Sequence, residues 1–343
     1  MQKIIIVGGG LAGSCLGVQL VASGCDVTVI DSGVNHSSRV AAGMINPLVF
    51  RRMTKSWRVD EFIPYAEAFY RLIEQTSGIS FFHETTIRRF FSSEQERNFW
   101  LERQQTDDFS AYMHVINEED ETVFPYANQF GSGRVKNSFY LDTTTLLDVL
   151  HSLPEIHLRR ESFDYTELNP AAGMYQGEHF DSIIFCEGYQ SKHNPWFGTL
   201  PVDSTKGEIL TVETEGLSHE ESLNRKCFTL HTGNGRYKVG ATYVWHTDDT
   251  TLTEEGKNLL LDNLRYLTDL PVTVVAQHAG VRPTTPDRRP LMGKHVIYDK
   301  LFFFNGLGTK GYMMAPLLSK EMADFVTKDT PLHTECNLNR IRS

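Results

Sequence analysis

The 343-residue chain lacks any long apolar run: its strongest ones, residues 4–7 and 301–304, fall far short of the roughly 20 residues that span a bilayer, so no membrane anchor is expected. Basic runs are also missing. Lys and Arg form no run longer than pairs such as those at 51–52, 88–89, 159–160 and 288–289, and 33 of them face 43 Asp+Glu, for a net charge of −10. A polyphosphate is repelled by such a surface, so nucleic acid is disfavoured as a partner. The five cysteines are widely spaced and contain no C-x-x-C, which argues against a disulfide framework and a zinc site. No His/Cys/Asp/Glu set has metal-ligand spacing, and no G-x-S-x-G or Cys/His arrangement supports hydrolysis. No metal is expected. Met1-Gln2-Lys3 runs directly into an apolar strand, leaving no room for a signal peptide, and this predicts a cytoplasmic location.

What is present is globular. Hydrophobic residues make up 40% and charged residues 22%, enough for one large core or two coupled ones. The opening reads strand (4–7), glycines, helix (11–22) ended by Gly24, then strand (27–30), the start of a parallel sheet. Helical spacing recurs over 60–75, 94–104, 142–150, 254–267 and 312–326. Strands are expected at 90–91, around 162–168, at 174–177, 182–185, 208–212, 237–241 and 301–304. The apolar stretch 272–276 is read as a return to the opening pattern. The fold class is therefore α/β, a discontinuous Rossmann-like nucleotide-binding domain with an inserted α+β domain built on an antiparallel sheet. The expected segments are 1–85, 140–200 and 276–343 for the first domain, and 86–139 and 201–275 for the second, substrate-binding one.

The strongest local signal is Gly8-Gly9-Gly10-Leu11-Ala12-Gly13, a G-x-G-x-x-G that follows a strand and opens a helix. Gly8, Gly10 and Gly13 permit the tight turn, the approach of backbone N–H groups to a pyrophosphate and close helix–strand packing. Asp31 ends the second strand 18 residues after Gly13, where a carboxylate binds ribose hydroxyls. An acid there disfavours a 2′-phosphate, leaving NAD or FAD. A second G-x-G-x-x-G, Gly306 to Gly311, precedes a helix but has no following strand and acid. It is either a helix N-terminus aimed at an electron-rich ring edge or an ordinary glycine turn.

These stretches resemble the FAD-dependent oxidoreductases of the D-amino-acid oxidase family, in particular its glycine oxidase and sarcosine oxidase branch. The resemblance rests on residues 8–31, Ser37-Ser38-Arg39-Val40-Ala41-Ala42-Gly43-Met44, Phe185-Cys186-Glu187-Gly188, Gly280-Val281-Arg282-Pro283-Thr284-Thr285-Pro286-Asp287 and residues 306–316, in the family's order. It implies a non-covalent FAD, since covalent attachment in the sarcosine oxidase branch uses a C-terminal cysteine and none lies between 228 and 335. By the same resemblance, Leu11 and Ala12 meet the pyrophosphate, Asp31 and Ser32 hold the ribose, and Ser37, Ser38, Ala42, Gly43 and Met44 run along the phosphates and flavin ring. Phe163 matches the residue whose backbone meets the adenine. Gly188 matches the Gly of the family's Ala-x-Gly stretch, although Cys186-Glu187 departs from the usual small residues. Leu307, Gly308, Thr309, Lys310, Gly311, Tyr312 and Met313 match the segment lining the flavin's pyrimidine edge, where a helix dipole favours the anionic reduced ring.

The resemblance also marks two candidate catalytic residues. Arg282 stands where the branch holds the substrate carboxylate, a task suited to a guanidinium fork; the alternative is a surface arginine in a proline-rich loop. Lys238, in Lys-x-Gly, matches the sarcosine oxidase lysine above the flavin. By residue type alone it is expected to be a solvated strand lysine. Tyr243, Trp245 and His231 are candidate pocket walls or ordinary sheet aromatics. The implied reaction is oxidation of the C–N bond of an amino acid or N-substituted glycine to an imine by hydride transfer, with a small-molecule amine as partner. Two alternatives stand beside it. Residues 41–47 and 308–316 also resemble the oxidase domain of the bifunctional enzyme that completes methylaminomethyl-thiouridine in tRNA, and some family members are FAD-binding subunits without their own activity.

Overall fold

The computed structural model describes residues 1–34, 37–115 and 129–342. Residues 116–128 of the 86–139 segment and 35–36 of the connection after Asp31 lie outside the described residues. Two large sheets carry the architecture.

The first has six strands in the order Leu291–Lys294, Leu301–Asn305, Ser182–Phe185, Lys3–Val7, Asp26–Ile30 and Ile156–Arg159. All neighbours pair in parallel except the first two. The strands read as unbroken apolar runs because both faces are covered: Ile4 and Ile6 enter one core cluster, Ile5 and Val7 another. On one side lie the helices Leu11–Ala22, Gly311–Lys328 and Val59–Ser77, tied by the Tyr70 hydroxyl, which donates to the Tyr312 carbonyl at 2.8 Å. On the other lies an aromatic cluster that includes Tyr175, Phe180, Phe185 and Phe197, backed by a small three-stranded sheet of Leu168–Asn169, Met174–Tyr175 and Glu178–His179.

The second sheet has eight strands. Asp203–Glu213 pairs antiparallel with Arg236–Gly240, with Val244–Trp245 and, along its length, with Thr273–Thr284. Phe228–Gly233, Glu221–Asn224, Phe82–Phe90 and Ser132–Leu141 complete it. Along Asp203–Glu213 the side chains alternate. Gly207 and Ile209 face the cavity described below, whereas Glu208 accepts from the Thr253 hydroxyl (2.7 Å) at the N-cap of helix Glu254–Leu264.

Helix ends follow local chemistry. Ser93 and Asp142 cap the helices Glu94–Arg103 and Thr143–His151, the Asp142 carboxylate accepting from the N–H groups of Thr144 and Thr145. Three expectations need correction. Residues 162–167 are not a strand: Asp164 caps a 3-10 turn, Tyr165–Glu167, and the strand begins at Leu168. Residues 273–284 form one strand of the second sheet, so the return to the first sheet begins only at Leu291. The breaks after 85, 139 and 275 fall inside strands of the second sheet, Phe82–Phe90, Ser132–Leu141 and Thr273–Thr284.

Candidate active site

A cavity of about 760 Å³ runs from the ends of the parallel strands to the inner face of the second sheet, within the size range of ligand sites. At one end the glycine turn is packed too closely for side chains. A Cβ added at Gly8, where φ is +103°, would sit 2.5 Å from the Cys186 carbonyl oxygen, and one at Gly13 would collide with the carbonyl oxygen of Gly8. Gly8, Gly10, Leu11 and Ala12 line the cavity; Gly13 does not, and its part is to seat the helix on the strand. Helix Leu11–Ala22 has no side-chain cap and no acid in its first turn, leaving its positive end for an anion. Asp31 lines the cavity beside Ser32, with Arg160 Nη1 3.4 Å from its carboxylate. Phe163 lines the same end, its ring stacked on Tyr175 with centroids 4.2 Å apart.

The loop after Asp31 is fastened along the cavity's length. Ser38 Oγ accepts from the Leu11 N–H (3.0 Å), and the Ser38 carbonyl accepts from the Tyr312 hydroxyl at 2.6 Å. Thr143 donates to the Arg39 carbonyl (2.8 Å), and Arg39 pairs with Asp148 at 2.7 Å. Ser37, Ala42, Gly43 and Met44 all line the cavity. Gly43 has φ +76°, and a Cβ there would strike the Leu141 carbonyl.

At the far end the segment from Leu307 to Met313 closes the wall, entering helix Gly311–Lys328, which again has no side-chain cap and no acid in its first turn. Lys310 projects from this turn, and its ammonium donates to the carbonyls of Asn46 (2.6 Å) and Leu48 (3.1 Å). With no carboxylate paired to it among the described residues, burial pushes this amine down to about 7.

Arg282 lies across Gly207 from the facing strand, where any side chain would collide with the guanidinium. The guanidinium stacks 4.7 Å from the centroid of Tyr243 and reaches the Thr242 carbonyl at 3.5 Å. It lines the cavity, forms no ion pair with a carboxylate among the described residues, and has its pKa lowered by burial. It is not a surface arginine.

Lys238 stands elsewhere. Its ammonium donates to the Ala41 carbonyl at 3.2 Å, which fastens the 41–44 loop from outside the cavity lining, and burial lowers its pKa. It is not a solvated lysine. Trp245 is 47% exposed and His231 packs on His219 and Tyr237, so of the three aromatic candidates only Tyr243 reaches the cavity. Several cavity residues had no place among the site residues expected from the sequence, among them Gly207, Tyr165 and Glu187. Gly207 and Tyr165 gave no local signal, whereas Glu187 was visible as a departure from the family's small residues.

The cavity fits FAD. Two helix N-termini with no acid in their first turns open on it, one beside the carboxylate of Asp31 and one beside Lys310, and the glycine turn leaves no room for side chains of its own. The sequence pattern of the family described as DAO, FAD dependent oxidoreductase, matches residues 3–325. The chain belongs to this family. FAD is therefore its cofactor, and the protein is an FAD-dependent oxidoreductase. The chain is 24% identical over 329 residues to the tRNA 5-methylaminomethyl-2-thiouridine biosynthesis bifunctional protein MnmC of Saccharophagus degradans, covering 87% of this chain but 45% of that protein. It is 24% identical over 363 residues to glycine oxidase of Bacillus licheniformis, covering 96% and 94%. The fold is that of glycine oxidase from Geobacillus kaustophilus, with a TM-score of 0.79, 18% identity and coverage of 97% and 96%. No helix among the described residues is long and apolar enough to cross a membrane.

Proposed function

We propose that this family member oxidises the C–N bond of an amino acid or N-substituted glycine. The observation that carries the reading is Arg282. A guanidinium held at the ring-side end of the cavity without an anionic partner loses solvation that only an incoming anion repays. A substrate α-carboxylate meets its fork through two parallel hydrogen bonds. Stacking on Tyr243 and close packing against the side-chain-free backbone of Gly207 fix the fork's plane, and with it the direction in which the substrate's α-carbon projects. FAD, when bound, supplies the redox chemistry by accepting a hydride from that carbon. The amine reacts as its free base, so no side chain is required to take a proton, and water hydrolyses the product imine. Arg282 and Tyr243 bind and orient; Lys310 and Lys238 hold the backbone of the ring-side loop through the carbonyls of Asn46, Leu48 and Ala41.

The similarity to glycine oxidase supports this reading. The similarity to the bifunctional tRNA protein supports a second one, in which the same carboxylate clamp takes a carboxymethylamino group on a uridine; the net charge of −10 weighs against it. The test is product analysis. The purified holoenzyme is supplied with glycine, sarcosine, iminodiacetate, proline and D-amino acids under an artificial electron acceptor, and the carbonyl product is identified. One of these is expected to yield the oxo acid matching its carbon skeleton. Turnover only of a modified tRNA, through a complex that salt dissociates, would shift the assignment to the second reading.

A further inference from the structure

The peptide that follows strand Ser182–Phe185 lies against the glycine turn: a Cβ on Gly8 would fall 3.3 Å from the Cα of Glu187. The side chain of Glu187 stands in the wall of the same cavity that receives the FAD pyrophosphate. Its two oxygens are held from opposite sides. One accepts from the hydroxyl of Tyr165; the other accepts from the side-chain amide of Asn194 at 2.9 Å. Asn194 is itself fixed, its oxygen accepting from the N–H groups of Trp196 (2.9 Å) and Phe197 (3.0 Å), and Tyr165 packs against Phe163, Phe185 and Trp196. The carboxyl thus bridges the two aromatic segments that wall the adenosine half of the cavity.

No cation opposes it. Among the described residues Glu187 forms no ion pair: Lys192 on the following turn is paired with Asp248, Arg159 with Glu161, and Arg160 reaches Asp31. The groups facing it from each packed element are Tyr165 from the 162–167 segment, Asn194 and the neighbouring His193 from the turn after it, Cys186 behind it, and Asn305, which donates to the Gly188 carbonyl at 2.7 Å. Burial pushes its carboxyl up to about 7. Its remaining exposure is toward the cavity, so the arrival of FAD removes its last water and places two phosphate charges in the same low-dielectric space. Both effects oppose the carboxylate and favour the neutral acid.

We infer that Glu187 is the proton-uptake site of cofactor loading: FAD enters the cavity together with one proton, taken from solvent onto this carboxyl, so that FAD affinity falls as pH rises through neutrality. The balance is simple: carboxylate, proton and FAD combine to give the carboxylic acid beside bound FAD, with no bond to the cofactor and no redox change. Glu187 is a positioning residue, acting through Tyr165 and Asn194 on the cavity wall.

The same slope has two rival sources: Lys310, whose amine lies near 7 in the wall of the same cavity and would keep titrating in Glu187→Gln, and His151. His151 Nε2 donates to the Gly9 carbonyl (2.8 Å) and Nδ1 lies 3.2 Å from Arg160 Nη2, and its charge would also favour the pyrophosphate. The experiment is FAD titration of the deflavinated full chain between pH 6 and 9, followed by flavin fluorescence, for wild type, Glu187→Gln and His151→Gln. If loading raises the carboxyl by one pKa unit, the wild-type Kd is expected to be about tenfold higher at pH 9 than at pH 6. Glu187→Gln, which keeps both hydrogen-bond geometries available, is expected to flatten the profile, and His151→Gln to preserve it. A wild-type slope that survives Glu187→Gln, or a flat wild-type profile, overturns the inference. Should Glu187→Gln fail to fold, calorimetry of FAD binding to wild type in two buffers of different ionisation heat reads proton uptake directly. An uptake between zero and one proton at pH 8 that persists in His151→Gln and Lys310→Met supports the assignment, and no uptake, or an uptake lost with either variant, refutes it.

Discussion

Replacing Arg282 by Met separates the site's chemistry from its stability. The guanidinium offers a substrate carboxylate two charge-assisted hydrogen bonds, each worth about 1.5–3 kcal/mol, so about 3–6 kcal/mol of substrate binding is at stake. At 1.4 kcal/mol per decade this corresponds to a fall in kcat/KM of about 10²–10⁴. The free protein is expected to respond in the opposite sense. Arg282 is a desolvated cation with no carboxylate partner among the described residues, and Met fills the space over Gly207 and beside Tyr243 without that cost. Chemical denaturation of the FAD-free chain should therefore show no loss of stability, and FAD content after purification should be unchanged. Steady-state kinetics on the best amino acid, alongside the same amine lacking its carboxylate, provide the assay. The loss should appear with the acid and vanish with the decarboxylated amine. A variant that keeps kcat/KM within threefold for the acid, or that loses activity equally on both compounds, would refute the reasoning.

Three further outcomes follow from the cavity walls. Gly13→Ala drives a methyl group into the Gly8 carbonyl and should cost about 1–3 kcal/mol of stability with loss of bound FAD, read from thermal melts and the visible spectrum. Gly207→Ala displaces the Arg282 guanidinium; the variant should purify yellow with normal FAD content but with a raised KM for the carboxylate substrate. Lys310 tests linkage: its amine lies near 7 in the folded chain and at 10.5 when unfolded, so over that window the unfolded state binds more protons. The stability of the FAD-free wild type relative to Lys310→Met should rise as pH increases from about 7 to 10.5, measured by urea denaturation, and a gap independent of pH would contradict it.

The parts of the site that sequence made legible are those built from neighbours in the chain. The glycine turn, its helix and Asp31 form one β-α-β unit whose periodicities and glycine spacing are local, and the resemblance extended this to Ser37, Ser38 and residues 307–313. Arg282 was marked by its G-V-R-P setting. What escaped the sequence was set by pairing over long separations. Thr273–Thr284 joins the second sheet because Asp203–Glu213 offers it a full-length edge, which nothing in residues 272–276 records. Residues 162–167 have strand-like composition, yet the Asp164 side chain accepts from the Thr166 N–H and turns the chain first. Lys238 looks like a solvated strand lysine until the Ala41 carbonyl, 197 residues away in sequence, is brought onto its ammonium. Glu187 stood out as an odd residue in its motif, but its meaning depends on Tyr165 and Asn194, which only the fold supplies.

The central claim is that the cavity brings an α-carboxylate amine to a bound FAD, and anaerobic mixing tests it most directly. Holoenzyme is combined without oxygen with glycine, sarcosine, iminodiacetate, proline and D-amino acids, and the flavin's long-wavelength band is followed. At least one of them should bleach the band in wild type and fail to do so at the same rate in Arg282→Met. A flavin that dithionite bleaches but that none of these compounds touches would contradict the account.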